Sequence, residues 1–367
     1  MNVAFVLRRF TTDGGTERYA VGLAQLLVAR GHEVSVYCAY ARDDVAALPG
    51  VRVVRVAPAH PGGAVGEALF LAGSARVVLG GHDVVQGFGR TLVHDVYRAG
   101  GGVHRAWLRA RYPGLTGRLR VAASPSARVA TWLDQQAQVR ARVVVCNSEM
   151  SARQVSAFHR IPPNRIRVVR NGVDGDRFRP DPERRATARR EWGVPDGGRV
   201  CLFLGNGFRR KGLLVAVRAF TQVAGPDDRF VVAGSDAHAE RFLRVARSAL
   251  GPRLVEAGAL RAPEAWLPGA DVTVLPTLYD SAANTVLESM ACGVPAVTTS
   301  MDGNAELVPD AAWVARDPRD VGLVARAVHA AWSDRGAAAR CRAVAVAWPS
   351  SRNGEAMLQL YREIADE

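Results

Sequence analysis

Apolar residues along this chain cluster in short runs, separated by longer stretches in which they recur every three or four positions. Val3–Leu7 is an unbroken run, Val34–Ala39, Val84–Phe88 and Arg142–Cys146 each hold one polar residue (Ser35, Gln86 and Arg142), Val51–Val56 holds Arg52 and Arg55, and Asp95–Tyr97 is shorter. Runs of this length without polar alternation predict strands buried on both faces. Between the first two, Tyr19, Leu23, Leu26 and Leu27 predict a helix over residues 16–30, ended by Gly31. The second half repeats the pattern. Val200–Leu204, Phe230–Ala233, Val272–Leu275 and Pro295–Thr299 predict strands, and residues 213–224, 241–250 and 285–292 predict helices. A last helix is expected over Gly354–Glu363. Strands alternating with helices imply βαβ units, and so an α/β fold with doubly wound parallel sheets.

Turn-forming residues follow an apolar strand at Arg170-Asn171-Gly172-Val173-Asp174. Two domains are therefore expected, residues 1–170 and 171–345, with residues 346–367 as a C-terminal helix packing back on the first. Ligands of such sheets bind beyond the C-terminal ends of the strands, which points to a cleft between the two domains.

Composition narrows the class. The chain has 367 residues, 48% hydrophobic and 23% charged, enough for two full cores. This excludes a disordered, collagen-like or disulfide-stapled protein. The opening Met1–Arg9 does not read as a signal peptide, and no run of about 18 apolar residues occurs. The five cysteines are odd in number, far apart and without a Cys-x-x-Cys pair. A reducing cytoplasmic location is expected.

Charge is unevenly spread. Residues 1–170 hold 23 Arg against 10 acids, whereas residues 171–367 hold 25 basic and 25 acidic residues. The net charge of +13 thus belongs to the first half. From Val96 to Leu133 there is no acid, while Arg98, Arg105, Arg109, Arg111, Arg118, Arg120 and Arg128 alternate with Trp107, Leu108, Tyr112, Leu115, Leu119 and Trp132. A solvated basic face, a nucleic-acid surface and a surface for an anionic membrane or acceptor all fit this stretch.

Four segments carry candidate chemistry. The first is Gly205-Asn206-Gly207-Phe208-Arg209-Arg210-Lys211-Gly212, between a strand and a helix. Glycines allow close backbone approach, and cations at a helix start favour an anion. Lys211 is the only lysine, against 47 arginines, which suggests a need for a compact charge. The second is Asp280-Ser281-Ala282-Ala283-Asn284-Thr285-Val286-Leu287-Glu288, where a loop enters a helix that Asn284 or Ser281 is expected to cap. Its two carboxylates suit sugar hydroxyls. The third is Asp13-Gly14-Gly15-Thr16 at the start of the first helix, which a plain turn also explains. The fourth is Gly100-Gly101-Gly102-Val103-His104, where His104 is either a ligand contact or a structural histidine. Asp43-Asp44 and Asp227-Asp228 lack the further ligands a metal site needs.

Taken in order, these segments resemble glycosyltransferase family 4 over nearly the whole length. The resemblance rests on Gly14–Arg18, Arg30–Val34, Val168–Asp174 with Phe178 and Pro180, Ala270–Pro276, the Asp280/Glu288 pair, Met290–Pro295, Gly303–Glu306 and the tail from Trp348 to Tyr361. Within the family, Phe208–Gly212 and Asp95–Gly100 are similar to the lipopolysaccharide core glucosyltransferase group. The resemblance implies the GT-B fold, two Rossmann-like domains flanking a cleft, and retaining transfer of a hexose, glucose foremost, from a UDP-sugar to a lipid-linked or lipopolysaccharide core glycan. It implies no metal. Arg210, Lys211 and the Asn284–Val286 backbone would meet the diphosphate, with Gly205, Asn206, Ser281 and Thr285 around it. Glu288 would hold the ribose and Asp280 the transferred sugar. Gly14 and Gly15 would lie on the phosphate side, and His104 would hold an outer sugar hydroxyl.

Three departures stand out. Asp280 replaces the usual Glu, Asn206 stands where Arg is frequent, with Arg210 as its expected substitute, and Asp302 stands where a second glycine is common. The basic stretch adds the expectation of a peripheral place at the inner face of the cytoplasmic membrane, through Arg105, Arg109, Arg111, Arg118 and Arg120. The rival readings are a nucleotide-sugar epimerase of the same fold and a non-catalytic basic protein that binds nucleic acid or glycan.

Overall fold

The first strand shows why its apolar run is unbroken. In β1 (Asn2–Val6), Val3 and Phe5 face one core cluster, while Ala4 and Val6 face a second on the opposite side. A strand covered on both faces has no solvent side on which to place polar residues. The computed structural model describes residues 1–12, 14–58, 63–260 and 262–366, with only the backbone of Gly63, Ala64 and Leu79. Asp13, one of the candidate residues, lies outside the described residues.

The chain divides into two compact units: Met1–Arg170 with the C-terminal residues from Ser351 onward, and Asn171–Ser350. In unit 1, β1 is followed by β2 (Glu33–Cys38), β3 (Val51–Arg55), β4 (Val84–Phe88), β5 (Val96–Arg98), β6 (Val143–Cys146) and β7 (Ile166–Val168). They form one parallel sheet in the order β3-β2-β1-β4-β5-β6-β7. Helix α1 (Gly15–Ala29) buries Ala20, Val21, Leu23, Ala24 and Leu27 on one stripe, and Gly31 follows it at φ 79°. Helix α2 (Gly63–Ser74) contributes Phe70 to the cluster on the other face.

Beyond β5 and the glycines that follow it, the arginine-rich stretch is built of helices: α3 (His104–Arg111), α4 (Gly114–Ala122) and α5 (Pro125–Arg140), followed by α6 (Glu149–His159). The sequence showed only its charge, because arginines interrupt the apolar stripe. Strand β5 lies one residue later than expected.

Unit 2 has β8 (Val200–Leu204), β9 (Arg229–Ala233), β10 (Leu254–Gly258), β11 (Val272–Val274), β12 (Ala296–Thr299) and β13 (Val314–Ala315), ordered β10-β9-β8-β11-β12-β13 and all parallel. The edge strands β10 and β13 were not foreseen. The first is half-exposed and mixes Glu256 with apolar residues, and the second has two residues. Helices α7 (Leu213–Val223) and α8 (Asn284–Ala291) start from the loops after β8 and β11.

The last helix, α9 (Ser350–Ala365), starts four residues earlier than expected, with Gly354 inside it. The Leu26 side chain occupies the space that a Cβ at Gly354 would take. Met357, Leu358, Leu360, Tyr361 and Ile364 of α9 complete the unit 1 cluster around Val3 and Phe5. The Tyr361 hydroxyl donates to Gln86 Oε1 on β4, and Asn353 accepts from Tyr19 at 2.9 Å. All five cysteines are buried and unbonded. Among the described residues no helix is long and apolar enough to cross a membrane.

Candidate active site

The strand order of unit 2 reverses between β8 and β11, so the loops leaving these two strands flank the point where such sheets bind ligands. The loop after β8 is stitched to the loop after β9. The Gly207 N–H donates to the Ser235 carbonyl at 2.9 Å, and Asp236 accepts from the Phe208 N–H at 2.7 Å. Asn206 Oδ1 accepts from the Ser235 N–H at 2.9 Å and its hydroxyl at 3.1 Å. Asn206 thus shapes the loop rather than offering a charge. Residues Phe208–Lys211 form one helical turn, where a plain loop was expected.

Gly212 closes that turn at φ 80°, and a Cβ there would collide with the Pro276 carbonyl. This close approach joins the two loops. The Arg210 carbonyl accepts from the Leu278 N–H at 2.8 Å and the Thr277 hydroxyl at 3.2 Å. Arg210 Nη1 and Lys211 Nζ then stand 2.7 and 2.5 Å from the same atom, Asp280 Oδ2. Lys211 is 7% exposed. Burial alone would raise the Asp280 carboxyl, but the charges and hydrogen bonds of Lys211 and Arg210 outweigh it and hold the group below its ordinary range. Arg210 therefore contacts a carboxylate carried by the loop after β11.

Helix α8 begins at the end of the second loop. Its N-cap is Ala283, with no side-chain cap, which corrects the expectation that Asn284 or Ser281 caps it. Asn284 Oδ1 instead accepts from Asn171 Nδ2 at 2.7 Å. Ser281 and Val286 are buried, and Thr285 and Glu288 are half-buried. A helix start without a side-chain cap keeps amide donors and positive dipole for an anion.

Asp302 supports this constellation from below. It is 1% exposed. Its Oδ1 accepts from the Ala283 and Asn304 amides, both at 3.0 Å, and its Oδ2 accepts from the Thr298 hydroxyl at 2.9 Å. The Asp280 N–H donates to the Met301 carbonyl at 2.9 Å, and the Gly303 N–H donates to the Asp280 carbonyl at 3.0 Å. Burial, then the neighbouring Asp280 charge, push the Asp302 carboxyl up to about 6 against the opposing pull of Lys211 and the two amides.

In unit 1 the reversal lies between β1 and β4. Gly14 is the N-cap of α1 in extended conformation without a side-chain cap, and Gly15 is exposed. Gly205, in unit 2, packs against the Lys211 side chain. Gly100–Gly102 follow β5, and His104 opens α3, its N–H donating to Asp134 Oδ2 at 3.0 Å. Burial and then the Arg90 charge lower the His104 imidazole, which Asp134 partly offsets. The Asp134 carboxylate also lies 3.4 Å from His159 Nε2. Of the aspartates considered for a metal, Asp44 pairs with Arg42 at 2.6 Å and Asp228 with Arg199 at 2.7 Å. Among the described residues no group of three or more His, Cys, Asp or Glu is placed to hold a metal ion.

Comparison with known proteins gives a consistent answer for both units. The family described as Glycosyltransferase Family 4 matches residues 13–177, and the family described as Glycosyl transferases group 1 matches residues 198–334. The chain belongs to glycosyltransferase family 4. The first match contains Gly14, Gly15 and His104, and the second contains Lys211, Asp280, Glu288 and Asp302. The chain is 28% identical to the D-inositol 3-phosphate glycosyltransferase of Geodermatophilus obscurus, over 96% of this chain and 86% of the relative. It is 29% identical to a probable transglycosylase of Burkholderia thailandensis, over 93% and 91%. The crystal structure of WaaG, a glycosyltransferase involved in lipopolysaccharide biosynthesis, superposes with a TM-score of 0.83 at 21% identity, covering 98% of this chain and 99% of WaaG. That of HepE from Anabaena in complex with UDP and glucose gives 0.73 at 16% identity, covering 99% and 100%. The fold of this family 4 glycosyltransferase is therefore GT-B, as the sequence led one to expect.

Sequence reasoning missed three residues of this glycosyltransferase's candidate site. Asn171 and Asp134 gave no local signal, because their partners, Asn284 and His104, lie 113 and 30 positions away. Asp302 did give one, as a departure from glycine, but its role depends on a contact with Ala283 that only the fold creates.

Proposed function

We propose that this family 4 member is a retaining hexosyltransferase, moving glucose in the first place from a UDP-sugar to a lipid-linked or lipopolysaccharide core glycan. The observation that carries the donor part is the convergence of Lys211, Arg210 and Asp280 beside the α8 N-terminus without a side-chain cap, at the switch point of unit 2. Two cations and a helix start stabilise a leaving diphosphate as charge develops on it, so the reading requires no metal. Asp280 engages both cations through Oδ2, and its Oδ1 accepts from no described residue and suits a sugar hydroxyl. Glu288 holds the ribose, while Gly14, Gly15 and His104 keep their proposed roles toward phosphate and sugar. Gly205, Asn206, Ser281, Asn284, Thr285 and Val286 shape the donor site.

The acceptor part rests on unit 1. Helix α4 has no buried residue, and Leu115 and Leu119 on it are 72% and 61% exposed. On α5, Val129 and Trp132 are 55% and 54% exposed. Arg118, Arg120 and Arg128 accompany them, also exposed. Apolar side chains among arginines fit the interface of an anionic membrane better than a solvated basic face. Arg105 and Arg109 add charge, while Arg111 is half-buried and lies over the Trp107 and Tyr112 rings. The reading places the enzyme at the inner face of the cytoplasmic membrane. The phosphorylated compound named for the Geodermatophilus relative is in keeping with an acceptor-binding unit whose residues 1–170 carry a net charge of +13.

A thermal-shift panel of UDP-, GDP-, ADP- and dTDP-sugars with wild type and Lys211→Ala tests the donor reading. A ligand at 100 times its dissociation constant adds about 2.7 kcal/mol of stability. One nucleotide should stabilise the wild type and lose that effect in the variant. Equal stabilisation of both proteins would remove Lys211 from the site, and stabilisation by none would sink the donor reading.

A further inference from the structure

Two departures from the family pattern, distant in sequence, are neighbours in the fold. Asp280 and Asp302 pair through their backbones, and each carries a carboxylate into the same cluster. We propose that Asp302 is a positioning residue of the donor site, setting both the place and the charge of the Asp280–Lys211–Arg210 cluster. The proposal rests on the donor reading above.

Position comes first. A buried carboxylate has few ways to satisfy its lone pairs, and Asp302 satisfies them with groups that define the site. The Ala283 amide is the N-cap amide of α8, so Oδ1 ties down the helix start. The Thr298 hydroxyl belongs to β12, so Oδ2 ties the same carboxylate to the sheet. The backbone pairing of residues 301–303 with Asp280 then holds the loop that carries the sugar-facing carboxylate. Asn304 closes the arrangement by donating its side-chain amide to the Ala283 carbonyl at 2.9 Å. A glycine at position 302 would leave the bonds of the Asp302 carboxylate to Ala283, Asn304 and Thr298 unmade.

Charge follows from the same placement. The charged groups facing Asp302 are Asp280 from the loop after β11 and Lys211 from the loop after β8. Arg210 acts through Asp280, Glu288 lies one turn along α8, and Glu306 on the following turn is exposed. When Asp302 is ionised, two carboxylates balance Arg210 and Lys211. When it is protonated, the cluster gains one net positive charge. A nucleotide sugar carries two negative charges on a diphosphate diester that does not titrate near neutrality. Protonation of Asp302 therefore tightens donor binding, and the effect grows as pH falls.

The test uses the full chain with Asp302→Asn and Asp302→Ala. Asparagine can still accept from both amides through Oδ1 and can donate to the Thr298 oxygen, but it carries no charge. Titration calorimetry with UDP-, GDP-, ADP- and dTDP-glucose from pH 5 to pH 8 reads the charge effect. Wild type is expected to bind its donor about fivefold more tightly at pH 5 than at pH 8. Asp302→Asn is expected to bind at pH 8 as wild type does at pH 5, with no slope between. Asp302→Ala is expected to weaken binding at every pH, because the α8 start loses its anchor. Melting without ligand gives an independent readout: the Asn variant should gain on wild type as pH rises through about 6. Parallel pH profiles of wild type and Asp302→Asn, in binding and in melting, would overturn the proposal while leaving the donor reading intact. A wild type that binds none of the four would overturn both.

Discussion

The two units share a topology and differ in what they do with charge. Their sheets run in the same doubly wound order, one strand longer in unit 1. In unit 2 the arginines are matched: Arg185 and Arg189 share Asp271, Arg199 takes Asp228, Arg177 takes Glu264, and Arg247 bridges Glu240 and Glu256. On helices α3 and α4 of unit 1, Arg109 lies over Phe158, and Arg111 and Arg120 lie over Tyr112, so on this surface aromatic faces stand where those unit 2 arginines have carboxylates. A topology this permissive leaves charge free to follow function. Unit 2 concentrates positive charge at one buried point beside Asp280, whereas unit 1 spreads it over a surface that also exposes leucine and tryptophan.

The largest way to break this contrast is to reverse the surface charge. Each basic residue near an anionic membrane contributes about 1 kcal/mol, so Arg118, Arg120 and Arg128 together to Glu should lower vesicle partitioning by roughly a hundredfold or more. Sedimentation with vesicles of phosphatidylglycerol and phosphatidylethanolamine measures it. Nucleotide stabilisation, a property of unit 2, should not change. Replacing Leu115, Leu119 and Trp132 by Ser should weaken binding even at high salt, where the electrostatic part is screened. Undiminished partitioning of both variants would leave the patch as an ordinary solvated face.

Two groups, one in each unit, respond to pH with opposite sign. In unit 1, His94 is half-buried, its Nε2 donates to the Ala137 carbonyl at 2.7 Å, and desolvation brings its imidazole down to about 4. An imidazole lowered by folding contributes stability that is complete above the unfolded value near 6.5 and is lost as pH falls toward 4. Asp302, raised by folding, works the other way: unit 2 gains stability as pH falls through about 6. Between pH 6.5 and pH 4.5 the His94 effect amounts to about 2–3 kcal/mol. Hydrogen exchange of β4 and α5 amides should show this loss in wild type and a flatter profile in His94→Gln. Identical slopes would assign the acid sensitivity to another group.

How much of this was legible depends on the range of the interaction that decides each element. Strands β1 and β8 were plain because burial on both faces writes an unbroken apolar run. Lys211 was plain because it is a lone lysine among arginines. Asp280 and Glu288 were plain because both sit on one loop and helix. Helix α4 was hidden because a helix that buries no residue and exposes leucine does not write the amphipathic pattern of a helix against a core. Asp302, Asp134 and Asn171 were hidden because each acts through a partner that only the folded chain supplies. The cap of α8 was misread for a related reason: Asn284 is a good capping residue by type, but Asn171 engages its side chain.

The smallest expected effect concerns the element that crosses the boundary. Helix α9 follows unit 2 in sequence and completes the core of unit 1. Its Tyr361 hydroxyl donates to Gln86 Oε1, both residues being fully buried, and Gln86 Nε2 has no hydrogen-bond partner among the described residues. Tyr361→Phe keeps the ring and removes the donor, leaving a buried carbonyl oxygen without a partner. That costs about 1–3 kcal/mol. The loss should fall on unit 1 alone, as faster exchange of β1 and β4 amides, while β8 and β11 keep wild-type protection. Equal loss in both units would mean that they unfold as one cooperative body, and the contrast between them would then be one of charge and not of stability.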